Sequence, residues 1–192
     1  MKKDSQQAVA AFIGETAKLA ETSMRMEDLY NAIVNRNPKA DCYLYFDEDG
    51  KPKRNSYDDF RNQVLRTASK LSRAFPSIPA GSIVGLKLKN SPKWPVFFWA
   101  ILMAGHDVLL IDARLPKEKT DNILRQSQAK AIIANDEEEF IVPSFRVNEV
   151  MNQEADYAFQ AGWADHVIFC SSGTTGDAKM MIYSGKNMCA QV

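Results

Sequence analysis

Ser82–Ala134 reads SIVGLKLKNSPKWPVFFWAILMAGHDVLLIDARLPKEKTDNILRQSQAKAIIA, and the alternation within it decides the fold. "SIVGLKL" reads as a strand, "PKWPVFFWAILMAG" as a helix and "DVLLI" as a strand. "PKEKTDNILRQSQ" is a second helix and "AKAIIA" a third strand. Strands separated by helices of this length require crossover connections, which give a mostly parallel sheet. Such a sheet is covered by helices on both faces, which suits strands as uniformly apolar as these. The expected fold class is therefore α/β, a mostly parallel sheet flanked by helices.

Outward from that core the pattern continues in both directions. Met26–Asn35 has helical spacing, with Leu29, Tyr30 and Ile33 facing inward, and Asn37-Pro38 stops it. "DCYLYF" alternates as a strand, and "DEDGKPKR" turns the chain into a short paired segment. Ser56 caps a longer helix whose Phe60, Val64, Leu65, Ala68 and Leu71 are expected to face the core. Asp58 and Asp59 in its first turn suit the positive end of the helix dipole. Downstream, the acidic run from Asp136 to Glu139 reads as a solvated loop, "FRV" as a short strand and "HVIFC" as a later one.

The totals exclude several classes. Among 192 residues, Lys plus Arg and Asp plus Glu both number 24, so no global field draws nucleic acid or an anionic membrane. Hydrophobic residues at 45% and charged residues at 25% are ordinary for a globular domain with a real core. Cys42, Cys170 and Cys189 form no CxxC pair, which argues against a disulfide framework or a structural zinc site and favours a reducing cytoplasm. The longest apolar run, "PVFFWAILMAG", falls far short of the ~20 residues of a membrane span. The N-terminal "MKKDSQQAVAAFIGETAKLAETS" is a poor signal peptide, because Asp4, Gln6 and Gln7 interrupt it. It reads as a helical extension over residues 1–25.

The chemistry concentrates near the end of the chain, in "VIFCSSGTTGDAKMMIY". Two apolar runs read as strands, and Ser171 through Lys179 lies between them. A hairpin needs only two to five loop residues, so this connection is longer than turning the chain requires. Gly173 and Gly176 allow a backbone that exposes consecutive N–H groups. Ser171, Ser172, Thr174 and Thr175 add hydroxyl donors, and Lys179 adds charge. That inventory suits a polyphosphate, although a Ser/Gly hairpin holding nothing has the same composition. It is not a Walker A loop, since the lysine lies three residues past the second glycine and a strand follows; a kinase of that type is disfavoured.

The remaining candidates read blandly. His106 and His166 have no partner at metal-ligand spacing and are taken as structural. Cys170 reads as a small core residue, Trp94, Phe97, Phe98 and Trp99 as sheet packing, and Asp112 with Arg114 as a local ion pair.

"SSGTTGDAK" resembles the phosphate-loop signature of the adenylate-forming, AMP-binding ligases, which include acyl-CoA synthetases, luciferases and peptide-synthetase adenylation domains. "FFWAILMAGHDVLLIDARLPKEKTDNILRQSQAKAIIA" and "YDDFRNQVLRTASKLSRAF" resemble the same family's upstream segments in the right order. The resemblance runs from about Met26 to the C-terminus. Two positions depart from it: Ala178 stands where proline is usual, and Met180 where glycine is usual.

The resemblance implies that 26–192 is the N-terminal subdomain of an AMP-binding domain, truncated just after the phosphate loop. It implies a parent activity in which a carboxylic acid and ATP give an acyl-adenylate and pyrophosphate, then usually a thioester. It further implies nucleotide phosphate binding by Ser171, Ser172, Gly173, Thr174, Thr175, Gly176 and Lys179, with Mg²⁺ and a coenzyme A or pantetheine thiol as companions. The family's adenine, ribose and catalytic-lysine motifs have no counterpart here. The chain alone is expected to be inactive and to self-associate, the downstream portion being either continuous with it in a longer protein or a partner in trans. The competing reading is a non-catalytic interaction or regulatory module built on the same fold.

Overall fold

In a computed structural model, the structure describes residues 9–11, 13–14, 17–18, 21–22, 24–47, 49–135, 138–156, 158–171 and 179–190. The main sheet has six strands: β3 (Ile83–Lys87), β4 (Asp107–Leu110), β5 (Ala131–Ala134), β6 (Ser144–Arg146), β7 (His166–Ser171) and β8 (Lys179–Ser184). Its spatial order is β6-β5-β3-β4-β7-β8. Every neighbouring pair is parallel except β7 and β8, which run antiparallel. The α/β class and the mostly parallel sheet are as the sequence reading expects.

The strand residues sort onto two faces with period two. Val84, Leu86, Val108, Ala131, Ile133 and Val167 face one core. Leu109, Ile132, Ala134 and Ile168 face the other, under Ile123 and Leu124 of α4 (Lys117–Ser127). The first face carries α1 (Met26–Asn35), α2 (Tyr57–Ala74), α3 (Lys93–Met103) and α5 (Val147–Asn152). Every residue from Val96 to Met103 is buried, because α3 lies between the sheet and α2. A helix apolar on all sides has no other stable place.

Helix α2 starts where Ser56 predicts. Ser56 Oγ accepts from Asp59 N at 3.1 Å, and Asp59 Oδ2 accepts from Ser56 N at 3.1 Å. Phe60, Val64, Thr67, Ala68 and Leu71 form its buried stripe. Leu65 does not join it and is 47% exposed, a correction to the expected core list. Successive residues are turned by about 100° on a helix, so Leu65 falls off a stripe centred on Val64, Ala68 and Leu71. In α1 the inward set is Met26, Leu29, Tyr30 and Val34, with Ile33 half-buried.

Before α2, β1 (Asp41–Phe46) and β2 (Pro52–Ser56) form a separate antiparallel hairpin. An isolated hairpin is marginal in water and needs an anchor. Asn55 Nδ2 donates to Tyr43 Oη at 2.7 Å, and Gln63 Nε2 donates to Asn55 Oδ1 at 3.1 Å, tying the hairpin to α2.

Among its described residues the segment between α5 and β7 has no regular structure of its own, yet it is well tied. Gly162 N donates to Met103 O at 2.9 Å and Ala164 N to Leu102 O at 2.8 Å, so it runs across the end of α3. Gly105, at φ +88°, occupies a left-handed turn there, with Gly162 backbone atoms 3.7 Å from where its Cβ would stand. Beyond it, Asp165 Oδ1 accepts from Met26 N at 2.7 Å, and Asp165 O accepts from Gly185 N at 3.1 Å. The start of α1 is thereby fixed to the start of α6 (Gly185–Cys189), which Ser184 caps.

Tyr30 is 2% exposed, with its ring 5.2 Å from both Trp99 and Trp163. Its hydroxyl has no hydrogen-bond partner among the described residues, and burial pushes its pKa up. An unsatisfied buried hydroxyl is a net cost, so Tyr30→Phe is expected to leave stability unchanged or raise it by up to about 1 kcal/mol. Urea denaturation measures this; a loss above ~1 kcal/mol would mean that the hydroxyl is satisfied.

Candidate functional site

The chain leaves β3 and β4 toward opposite faces of the sheet, to α3 and α4 respectively. Where neighbouring strands diverge in this way, a crevice opens beyond their carboxyl ends, the usual ligand position in open α/β sheets. Here it has a volume of about 820 Å³. Leu88 and Asn90 wall it after β3, Ile111 to Arg114 after β4, and Phe169 and Cys170 at the end of β7.

The wall after β4 is stiffened by one ion pair. Asp112 Oδ1 accepts from Arg114 N at 2.9 Å, and Asp112 Oδ2 accepts from Arg114 Nη2 at 2.7 Å. Hydrogen bonding by the Arg114 side chain, then by its backbone, holds the Asp112 pKa down to about 2. Both groups lie at the surface, so the pair shapes the turn more than it stabilises the fold.

Beside this wall lie the two strand ends that flank the hydroxyl-rich segment. Parallel pairing sets Leu110 opposite Phe169, so β7 ends next to the Ile111–Arg114 segment. Ser171 is the last residue of β7 and Lys179 the first of β8, and they face one another in the antiparallel register. The ladder extends one rung past the apolar runs at each end, and the connection shortens to residues 172–178. Of the seven candidate residues, Ser171 and Lys179 thus stand at the two mouths of the loop. Ser172, Gly173, Thr174, Thr175 and Gly176 lie outside the described residues, as do Asp177 and Ala178.

The other candidates fall into place by position. His106 and His166 both sit at the amino ends of strands, on the far side of the sheet from the crevice. His166 Nδ1 lies 3.3 Å from the Asp107 carboxylate. His106 is buried edge-on to Phe75, and burial pushes its pKa down. Burial pushes the Cys170 thiol up, which disfavours a thiolate nucleophile. Trp94 stacks on Phe98 at 5.5 Å and also borders the crevice. Among the described residues no cluster of His, Cys, Asp or Glu could hold a metal ion.

A mostly parallel sheet with a crevice at its switch point defines an α/β protein whose ligand position lies at the carboxyl ends of β3 and β4. The family model for AMP-binding enzymes matches residues 31–192, and the chain belongs to that family. It is 30% identical over 142 residues to a plipastatin synthase of Bacillus subtilis (strain 168), covering 69% of this chain and 5% of that protein. It is 28% identical over 82 residues to 4-hydroxybenzoate–CoA/benzoate–CoA ligase of Rhodopseudomonas palustris, covering 43% of this chain and 15% of that one.

Solved structures of similar fold include the NpsA N-terminal subdomain of Klebsiella oxytoca. Its TM-score is 0.71 at 20% identity, covering 86% of this chain and 43% of that one. O-succinylbenzoate coenzyme A synthetase (MenE) of Bacillus subtilis, in complex with AMP, gives 0.69 at 19% identity, covering 81% and 41%. The chain therefore spans less than half the length of these relatives.

Proposed function

We propose that the chain is the front part of an enzyme that activates a carboxylic acid with ATP, giving an acyl-adenylate and pyrophosphate. The observation that carries this reading is the pairing of Ser171 with Lys179 at the end of the β7–β8 ladder, directly after Phe169 and Cys170, which line the switch-point crevice. Ser171, Ser172, Thr174 and Thr175 would donate to the β- and γ-phosphates, from hydroxyls or from backbone. Gly173 and Gly176 would let the backbone approach, and Lys179 would offset charge that develops on the leaving group. Family membership supports the assignment, and a relative that binds AMP agrees with it.

The match from residue 31 supports taking 26–192 as one subdomain, with 1–25 as an extension. The described residues supply no metal-ligand set, so Mg²⁺ would arrive with the nucleotide, held mainly by phosphate oxygens. Transfer of the acyl group to a coenzyme A or pantetheine thiol belongs to the same reading. So does a reducing, cytoplasmic setting. No helix among the described residues is long and apolar enough to cross a membrane.

Carboxylate-dependent ATP–pyrophosphate exchange tests the proposal. Catalysis needs nucleophile, α-phosphate and leaving group held together, and this chain carries candidates only for the phosphate end. The expected result is no exchange by the chain alone; exchange that appears only once the downstream portion is added in trans would mark a split ligase. Robust exchange by the chain alone would show that a complete active site had been overlooked.

Self-association is the second expectation. Strand β8 is a sheet edge, and its Met181 and Ile182 are 43% and 63% exposed. An apolar edge strand is a template for pairing with another chain. Sedimentation velocity should show a mass that rises with concentration; a monomer over a wide range would count against it.

A further inference from the structure

A second cleft, of about 940 Å³, opens on the other side of the segment that follows β3. Leu88, Lys89 and Asn90 face the switch-point crevice, whereas Ser91, Pro92 and Lys93 face this cleft. Its far wall is one face of α2, where Gln63, Arg66, Thr67 and Lys70 share helical spacing. The tip of the β1–β2 hairpin and Met151 of α5 close its rim.

The charge in it is lopsided. Arg66, Lys70 and Lys93 line the cleft. Among the described residues neither Arg66 nor Lys93 is in an ion pair, and Lys70 donates to the neutral carbonyl of Met151. Among the described residues the carboxylates at the rim are already matched within their own hairpin. Asp47 lies 3.4 Å from Lys53, and Asp49 lies 3.8 Å from Lys51. Among the described residues no side chain caps the N-terminus of α3, which begins at Lys93 and adds a partial positive charge. In a chain with 24 charges of each sign, this is a local surplus of cations.

The apolar side of the cleft is equally distinct. Phe46 is 67% exposed and Met151 39% exposed at its rim, above buried Val96 and Phe97. We propose that this cleft is a ligand site separate from the loop crevice and takes a small amphipathic carboxylate. Arg66 and Lys93 hold the anionic end, and an aromatic or short aliphatic body lies against Phe46 and Met151. The volume is that of a small-molecule site, and a few placed charges on an apolar wall are its usual composition. The inference rests on the cleft's own residues and is independent of the acyl-activation reading.

The test is amide NMR of the isotopically labelled chain titrated with 4-phenylbutyrate, with neutral 4-phenylbutanol and inorganic phosphate in parallel. Phenylbutyrate should give saturable shifts at residues 63–70 and 91–96. Phenylbutanol and phosphate should each bind at least tenfold more weakly. Arg66→Gln combined with Lys93→Gln should weaken phenylbutyrate tenfold or more. Both side chains are exposed, so the fold should survive, as the amide spectrum will show. Lys89→Gln, on the crevice side, should leave binding unchanged.

Three results would overturn the proposal: phenylbutanol or phosphate binding as well as phenylbutyrate, unchanged binding by the double variant, or shifts at residues 110–114 and 169 instead. The comparison of phenylbutyrate with its two analogues uses the unaltered chain, so it decides the matter even where a variant misfolds.

Discussion

Gly185→Ala is expected to destabilise the protein by roughly 2–4 kcal/mol, combining overpacking with loss of a partly buried hydrogen bond. A Cβ at this position would stand 2.4 Å from Met26 N, 2.5 Å from Arg25 C and 2.7 Å from Asp165 Oδ1. Two of those atoms are backbone, so no side-chain rotation relieves the contact. The methyl would occupy the space through which Asp165 reaches Met26 N, and α1 would have to move away from α6. Gly162→Ala is the control, because its Cβ would meet nothing nearer than Gly105 Cα at 3.6 Å. Urea unfolding should separate the two variants clearly. Equal stability of the two would mean that the α1–α6 contact is not fixed as described.

In a complete enzyme that joins this chain to a downstream portion, Lys179→Ala should lower ATP–pyrophosphate exchange ten- to a hundredfold. Charge-assisted hydrogen bonds to phosphate are worth about 1.5–3 kcal/mol, which sets that range. Lys179 opens β8 directly opposite Ser171, so its backbone is set by the ladder rather than by the loop. Asp177→Ala should do little, since that position is the variable one in the resembling signature. A larger loss from Asp177→Ala than from Lys179→Ala would overturn the assignment of roles.

How much of the molecule is legible in its sequence follows from what each element depends on. Strands β3, β4, β5 and β7 and helices α2 and α4 carry their own signal, since burial against one layer imposes a period on the residues themselves. Leu65 shows the limit of that signal: two adjacent apolar residues cannot both centre one helical stripe. The segment before β7 has no pattern to read. Its order comes from Gly162 and Ala164 donating to carbonyls at the end of α3, and backbone bonds of that kind select no side-chain type.

The loop can be proposed from sequence because one contiguous stretch holds its whole inventory. The second cleft cannot be, because Phe46, Arg66, Lys93 and Met151 come from four elements that only the fold brings together. Even the resemblance, which extends over most of the chain, is silent on it.

The tie between Met26 and Asp165 also sets a clock. Its two ends are 139 residues apart, and Gly185 follows later still. Synthesis at about 5–20 residues per second puts a delay on the order of ten seconds between the making of α1 and of the residues that fix its start. During that interval Tyr30 can meet Phe60 and Trp99 but not Trp163, and contacts this distant in sequence form slowly. The start of the first helix in the sheet's larger core therefore cannot be fixed before residue 165 has been made, and until then its packing rests on α2 and α3 alone.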